Sequence, residues 1–177
     1  MKFCARSKEL DFLCYSRNMD TRIIEIDTWA RLAKEGCAFP VTIPLNGDSM
    51  RPLIRKGKDC VTIVPAQGKF VPGDVVLFTD TQRFVVHRIF KINYDKNVVQ
   101  TWGDNCLKPD CPEPIDNILG RVIQYERNGR NHDLDTDKAR NFGLFWMKHK
   151  ILRTVYIRMR LFGGKFKRVV FRIMGKI

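Results

Sequence analysis

Apolar residues in the middle of the chain alternate with polar ones or gather in short runs. From Ala38 onward the period is close to two, and turn-forming residues separate the apolar segments. A period of two places successive side chains on opposite faces of a β-strand. The pattern therefore predicts strands at residues 39–44, 60–64, 75–78, 83–92, 98–102 and 118–125.

Two of these strands are joined by a tight turn. Asp95-Lys96-Asn97 lies between strands 83–92 and 98–102, which predicts a hairpin. Many short strands with turn signals between them, and no alternating helices, favour a small coiled antiparallel β-sheet or barrel over a parallel α/β sheet. The predicted fold class is therefore mainly β.

Helical periodicity flanks the β segment on both sides. Residues 27–35 predict a short helix, which Gly36 ends. Residues 142–162 also follow a helical period and place apolar and basic side chains on opposite faces. The apolar face consists of Leu144, Phe145, Ile151, Leu152, Val155, Tyr156, Met159 and Phe162. The basic face consists of Lys150, Arg153, Arg158 and Arg160.

These elements divide the chain into four parts. Residues 1–37 form an N-terminal segment with the short helix, and residues 38–127 form the β-domain. The polar residues 128–140 are interpreted as a linker. Residues 141–177 form a basic amphipathic helical tail, in which Gly163-Gly164 ends the first helix.

Length and charge restrict the function class. With 177 residues, 44% of them hydrophobic, the chain is large enough for one domain with its own core. Residues 139–177 contain eleven Lys or Arg and no Asp or Glu, whereas the rest contains 21 basic and 19 acidic residues. A basic tail predicts an anionic partner, either a phospholipid surface or nucleic acid. A solvated extension without a partner is the simpler alternative.

The tail leaves two structural interpretations open. An apolar face near Trp146 with basic residues opposite is typical of a helix in a membrane interface, but the same helix could pack on the β-domain. No helix-turn-helix, zinc-finger or aromatic RNA-binding signature is present, so nucleic acid is the less favoured partner. No apolar run of eighteen residues and no signal-peptide pattern occur. These features predict a cytoplasmic or peripherally membrane-associated protein.

The cysteine spacing argues against a metal site. The six cysteines contain no C-x-x-C pair, whereas zinc sites normally use closer pairs with histidine partners. No metal or other cofactor is predicted. Cys106 and Cys111 flank a Pro-Asp turn and could bridge under oxidation, but reduced cysteines of an intracellular chain are the expectation.

Three segments join a reactive side chain to turn-forming or apolar residues. Ser49 follows Gly47-Asp48, and a serine becomes a nucleophile only beside a base and backbone N–H donors. His87 lies in an apolar strand, and its imidazole titrates near neutrality. Asp104 and Asp110 follow the strand 98–102, and a carboxylate can orient an imidazole. Each residue alone has a simpler explanation, as a loop serine, a core histidine or a turn-capping aspartate.

Taken together and in order, these segments resemble a known family, the signal peptidase I clan, which includes the LexA-type self-cleaving repressors. The resemblance covers residues 41–125. No single motif is specific, but four in order at family spacing make chance agreement improbable. The matching residues are Gly47-Asp48-Ser49-Met50-x-Pro52, Gly73-Asp74-Val75-Val76, Val86-His87-Arg88 and Gly103-Asp104-Asn105.

The resemblance implies a serine endopeptidase with a coiled antiparallel β catalytic domain. His87 occupies the position of the lysine in the Ser–Lys branch, so the chain is similar to the Ser–His branch found in the endoplasmic reticulum and in archaea. Ser49 would be the nucleophile and His87 the general base, with Asp104 or Asp110 as third member. Substrates would be leader or signal-type peptides bound in extended form and cleaved through an acyl-enzyme.

Three departures from the family pattern matter. Asp48 before the serine is similar to the repressor side of the clan, so the Ser49 N–H is one expected oxyanion donor and the second is not indicated. The N-terminal membrane anchor of most signal peptidases is not found, and neither is a DNA-binding helix-turn-helix. The alternative function is therefore a LexA-like regulator or self-cleaving protein whose basic tail binds nucleic acid.

Overall fold

The computed structural model describes residues 26–80 and 83–161. Over these residues the chain forms a mainly β structure with one curled antiparallel sheet and a few helices, as predicted. The helices are α1 (Ile26–Lys34), α2 (Asp137–Lys148) and α3 (Lys150–Leu161). The strands are β1 (Val41–Pro44), β2 (Cys60–Pro65), β3 (Val75–Asp80), β4 (Arg83–Asn93), β5 (Val98–Trp102), β6 (Glu113–Pro114), β7 (Ile118–Arg127) and β8 (Arg130–Asp133).

The sheet has the strand order β1-β2-β7-β3-β4-β5-β6, and β8 pairs with β7. Its strand pairs are all antiparallel, as expected for a chain with short turns. Register shifts interrupt the β2–β7, β3–β7 and β4–β5 pairs, and such bulges increase local twist and help the sheet to curl. β1 lies at one edge of the sheet.

The six predicted strands are all present, because each has an apolar period or a short apolar run of its own. β6 and β8 were not predicted, since β6 has two residues and β8 exposes its four polar ones. β8 follows a two-residue turn in which Asn128 and Gly129 have φ angles of 53° and 73°. Such a turn favours a hairpin. The interpretation of residues 128–140 as a linker is therefore corrected, because they contain β8 and the beginning of α2.

The C-terminal segment differs from the predicted single helix. The helix begins earlier, at Asp137, where the Thr136 hydroxyl accepts a hydrogen bond from the Ala139 N–H at 3.2 Å. It ends at Lys148 with His149 as its C-cap, and α3 begins after this break, at Lys150. The predicted residue Phe162 and residues 163–177 lie outside the described part of the chain. No helix in residues 26–80 and 83–161 has the length and apolar character needed to cross a membrane.

The buried residues of the two C-terminal helices lie outside the apolar face that the sequence indicates. Gly143 and Met147 of α2, and Arg153 and Ile157 of α3, are buried. Several residues of the predicted apolar face are instead exposed. They are Phe145, Ile151, Leu152 and Val155. A helical period identifies which residues share a face, but not which face meets the sheet, and here the arginine is buried among backbone carbonyls.

The core consists of two apolar clusters on the curled sheet. The larger contains Trp29 of α1, Met50 and Ile54, together with side chains of β2, β3 and β7. The smaller contains Phe70, with side chains of β3, β4, β5 and β7. Met50 and Ile54 are each 1% exposed. They anchor the segment after β1, and thereby the adjacent Ser49, to the core.

The cysteines agree only in part with the expectation of reduced thiols. Cys37, Cys106 and Cys111 carry free thiols, so Cys106 and Cys111 are not bridged to each other. Cys60 is disulfide-bonded. The expectation that all six are reduced is therefore wrong, because disulfide formation depends on which cysteines the fold brings together and not on their sequence spacing.

Candidate active site

Ser49 lies in a turn between β1 and β2 and is half-buried. Its backbone carbonyl accepts a hydrogen bond of 2.6 Å from the Asn105 N–H. The Asp48 carbonyl accepts another, of 3.0 Å, from Asn105 Nδ2. The loop after β5 therefore holds the serine loop by its backbone. The Ser49 N–H donates to no backbone carbonyl of the described residues, which leaves it free to donate to a developing oxyanion.

His87 lies in the middle of β4, opposite Val76 of β3, and is 7% exposed. Its Nδ1 is 2.6 Å from Asp110 Oδ2. That carboxylate oxygen also accepts a hydrogen bond of 2.7 Å from Thr101 Oγ1, and the Asp110 N–H donates to the Thr101 carbonyl at 3.0 Å. These two bonds to Thr101 therefore hold Asp110 against β5. A carboxylate on Nδ1 favours the tautomer that leaves Nε2 as the proton acceptor.

The pKa of His87 departs from its usual value. Burial lowers it, but hydrogen bonding and charge from Asp110 and Cys106 outweigh burial and raise the pKa to about 9. Burial raises the pKa of Asp110, but the hydrogen bonds from His87 and Thr101 and the charge of His87 hold it below its usual range. The imidazolium–carboxylate pair is therefore the stable form at neutral pH, and the neutral base becomes more abundant as the pH rises.

Asp104 lies six residues before Asp110 and has another partner. Its two carboxylate oxygens accept hydrogen bonds from Arg88 Nε at 3.1 Å and from Arg88 Nη2 at 3.0 Å. Both side chains are buried, at 2% and 1% exposure. Asp104 thus joins β4 to the loop after β5, while Asp110 contacts His87. Of the two aspartates that the sequence left open, the geometry favours Asp110 as the residue that orients the imidazole.

Gly103 marks the point at which the three segments meet. A Cβ on Gly103 would stand 2.8 Å from His87 Nε2, 2.9 Å from the Ser49 carbonyl oxygen and 2.7 Å from Cys106 Sγ. A side chain at this position would displace all three groups, so only glycine fits. Ser49 and His87 are thereby brought together. Ser49 Oγ is not among the hydrogen-bond partners of His87 in this structure.

The Gly73-Asp74 segment lies beside the site and contacts residues of α2, β4 and β7. Asp74 is 2% exposed, and its carboxylate pairs with Arg140 of α2 at 2.6 Å and with Arg121 of β7 at 3.4 Å. The Gly73 carbonyl accepts a hydrogen bond of 2.7 Å from Arg88 Nη1. Gly73 has a φ of +100°, and a Cβ there would stand 2.9 Å from Arg140 Cβ. This segment therefore joins α2 to the sheet beside the site.

Ser49, His87 and Asp110 line one cavity of about 740 Å³. Its walls come mainly from apolar residues of β1, β3 and β4 and from the loop after β1. The apolar lining residues include Ile26, Ile43, Leu45, Leu77, Phe78, Phe84 and Val86. The charged residues Asp80, Arg83 and Glu113 lie elsewhere on its lining. The cavity is large enough for several side chains of a peptide, and the edge strand β1 runs along it.

No group of three or more His, Cys, Asp or Glu in residues 26–80 and 83–161 is placed to hold a metal ion. The residues at the site instead provide a hydroxyl, an imidazole, a carboxylate and a thiol. This set suits nucleophilic and general acid–base chemistry.

Sequence reasoning missed three supporting residues. Asn105 was part of a motif without an assigned role, yet it bonds both Asp48 and Ser49. Cys106 had no assigned role, although its Sγ lies beside Gly103 and His87. Arg153 was placed on the solvated face of the tail helix but is 2% exposed. Only Asn105 carried a signal, its place in the Gly-Asp-Asn motif.

Comparisons with models of known protein families, with curated proteins and with solved structures found no match to this chain. Function is therefore argued from the geometry of the site, because a fold by itself does not determine an activity.

Proposed function

We propose that this protein is a serine endopeptidase that cleaves leader or signal-type peptides, with Ser49 as nucleophile and His87 as general base. The observation that carries the proposal is the 2.6 Å contact between His87 Nδ1 and Asp110 Oδ2, at the wall of a cavity that Ser49 also lines. An imidazole oriented by a carboxylate, next to a serine, is the arrangement that acyl transfer needs.

The reaction follows from these positions. Ser49 Oγ attacks the peptide carbonyl while His87 Nε2 accepts the hydroxyl proton. The same proton then passes to the leaving amine, and Asp110 stabilises the imidazolium between the two steps. Water, activated by His87, hydrolyses the acyl-enzyme. The hydrogen bond between Ser49 and His87 forms when substrate binds, since catalytic hydrogen bonds are often longer before the substrate is present.

The substrate is an extended peptide. Its backbone adds to β1, which is an edge strand among the described residues, and its apolar side chains enter the cavity lined by Ile43, Leu77 and Phe84. Leader and signal peptides contain apolar segments that suit such a lining.

The experiment is cleavage of a peptide library by the wild-type protein and by Ser49→Ala, with Ser16→Ala as a matched serine control. Loss of a triad serine costs on the order of 10⁶ in kcat, so Ser49→Ala should show no cleavage above background and Ser16→Ala should match the wild type. Full cleavage by Ser49→Ala would show that Ser49 is not the nucleophile.

The same proposal assigns an anionic phospholipid surface as a partner of the C-terminal helices. An apolar row on α2 and α3 remains exposed, with side-chain exposures of 58% at Phe142, 51% at Phe145, 80% at Ile151, 52% at Leu152 and 50% at Val155. Eleven Lys or Arg and no acidic residue occur between residues 139 and 177. Exposed apolar side chains within a basic segment suit the surface of an anionic bilayer.

Flotation with vesicles tests this partner. The wild-type protein should float with vesicles that contain phosphatidylserine and much less with vesicles of phosphatidylcholine alone. The double variant Ile151→Ser, Leu152→Ser should lose most of the binding, whereas Val71→Ser, which changes an apolar residue of 43% exposure in another region, should retain it. Equal binding by both variants would rule out the α2–α3 row as the contact.

A further inference from the structure

The loop between β5 and β6 is held from one side by the C-terminal helices. Arg153 of α3 donates through Nη2 to the Gly103 carbonyl at 3.2 Å and to the Cys106 carbonyl. Its guanidinium lies over the Trp102 ring, 3.9 Å from the centroid. Trp146 of α2 donates through Nε1 to the Asp104 carbonyl at 2.9 Å. Both helices therefore bond the backbone of residues 103–106.

The other side of the same loop holds the serine segment. Asn105 donates through its backbone N–H to the Ser49 carbonyl at 2.6 Å and through Nδ2 to the Asp48 carbonyl at 3.0 Å. Residues 103, 104 and 106 thus accept bonds from the helices, while residue 105 donates to the serine loop. Residues 103–106 thereby link α3 to the backbone of the serine loop.

The two helices reach the loop because α2 packs closely against the sheet. A Cβ on Gly143 of α2 would stand 2.3 Å from Arg88 Cζ, so the helix lies directly against the buried Arg88–Asp104 pair. Arg140 fixes the same helix through Asp74, at 2.6 Å. These contacts hold α2 against the sheet next to the site, and the position of α3 follows from it.

Arg153 is a costly residue to bury. Burial lowers the pKa of its guanidinium, and the charge of Asp104 opposes that effect only in part. Among the described residues, its Nε and Nη1 atoms are buried without a hydrogen-bond partner. A buried cation that lacks a full set of partners adds little to stability. A structural role alone therefore explains its presence poorly, and its bonds to residues 103–106 point to the site.

We propose that α2 and α3 are part of the catalytic unit and that Arg153 is a positioning residue, which holds residues 103–106 so that Ser49 and His87 face each other. The proposal rests on the proposed peptidase function. It assigns the C-terminal helices a role in catalysis that is separate from any contact with a membrane.

The test compares Arg153→Met with Arg158→Met, an exposed arginine of the same helix. The readouts are kcat, KM, the rate at which a fluorophosphonate probe acylates Ser49, and the melting temperature. Misplacement of reacting groups by about 1 Å costs roughly 10²-fold in rate. Arg153→Met should lower kcat and Ser49 acylation by about that factor with little change in KM, and Arg158→Met should match the wild type. Arg153→Lys, which keeps one donor, should recover part of the loss.

A second variant covers the case in which Arg153→Met does not fold. Trp146→Phe keeps an aromatic ring but removes the Nε1–H donor to Asp104, and should slow Ser49 acylation several-fold without a matching loss of melting temperature. Wild-type acylation rates in a folded Arg153→Met, or in Trp146→Phe if the first variant is unfolded, would overturn the positioning role alone. Absence of probe labelling at Ser49 in the wild-type protein would instead overturn the proposed function.

Discussion

Asp104 and Asp110 lie in one loop after β5, six residues apart, and each carboxylate faces a cationic side chain of β4. Asp104 meets Arg88 in a fully buried pair, at 3.0 and 3.1 Å. Asp110 meets His87 at 2.6 Å on the wall of a cavity, with 29% of its side chain exposed. The first partner cannot release its proton near neutrality, whereas the second can.

The difference shows what separates a structural ion pair from a catalytic one. Both pairs fix β4 to the same loop. Only the His87 pair combines a group that can exchange a proton with an opening where a substrate could receive it. The predictions below separate the two pairs, because loss of the first should lower stability and loss of the second should lower the rate.

The largest effect is expected for Asp110→Asn. The amide can still hydrogen-bond Nδ1, but it no longer stabilises the imidazolium and it permits the wrong tautomer, so kcat should fall by about 10⁴. The melting temperature should change far less than in the Asp104 variant below. Steady-state kinetics together with thermal unfolding measure both effects, and wild-type kcat would exclude Asp110 from the mechanism.

Asp104→Asn should have its main effect on stability. It leaves the Arg88 guanidinium buried without a counter-charge, which costs about 3–5 kcal/mol of unfolding free energy. Replacement of both partners, as Asp104→Leu with Arg88→Met, should be less destabilising than Asp104→Asn alone, since no charge is then left buried. Urea unfolding of the three proteins measures this, and a stable Asp104→Asn with a large loss of kcat would reverse the roles assigned to the two aspartates.

The pH dependence of cleavage should follow His87. The general base must be neutral, and the pKa of His87 is raised to about 9, so kcat/KM should rise with pH through about 9. At pH 7 the rate should be roughly one hundredth of the alkaline plateau. An unperturbed histidine would instead give a rise in kcat/KM near pH 6.5. A profile that is flat between pH 7 and pH 10 would contradict a base role for His87.

The smallest effect is expected for Cys106→Ala, which should displace the pH profile of kcat/KM. Cys106 helps to raise the pKa of His87, so its removal should move the rise in kcat/KM to lower pH. Cys37→Ala, which removes an exposed free thiol, serves as the matched control and should leave the profile unchanged. Coincident profiles for Cys106→Ala and the wild type would show that the thiol does not affect His87.

Much of the sheet could be predicted because its strands carry a local signal. β2, β3, β4, β5 and β7 each have an apolar period or run of their own. β8 has no apolar residue and depends on pairing with β7, which the sequence pattern does not show. The break at His149 and the buried face of α2 and α3 depend on contacts with the sheet, and an amphipathic period does not reveal those contacts.

The sequence predicted which residues belong to the site, but only in part which of them contact each other. Ser49 and His87 stood in the family-like segments and Asp110 follows the last of them, and the geometry brings all three to one cavity. The choice of Asp110 over Asp104 could not be made from sequence, since both follow β5 and both suit an imidazole. The roles of Arg153 and Trp146 were hidden because their bonds go to backbone carbonyls, which carry no sequence signature.

The most direct test of the central claim is the mapping of a fluorophosphonate adduct by mass spectrometry, with the labelling rate measured against pH in the wild-type protein and in Asp110→Asn. The account predicts a single adduct on Ser49, a rate that rises through about pH 9, and a large loss of rate in Asp110→Asn. An adduct on another residue, or labelling of Ser49 at equal rates in both proteins, would contradict it.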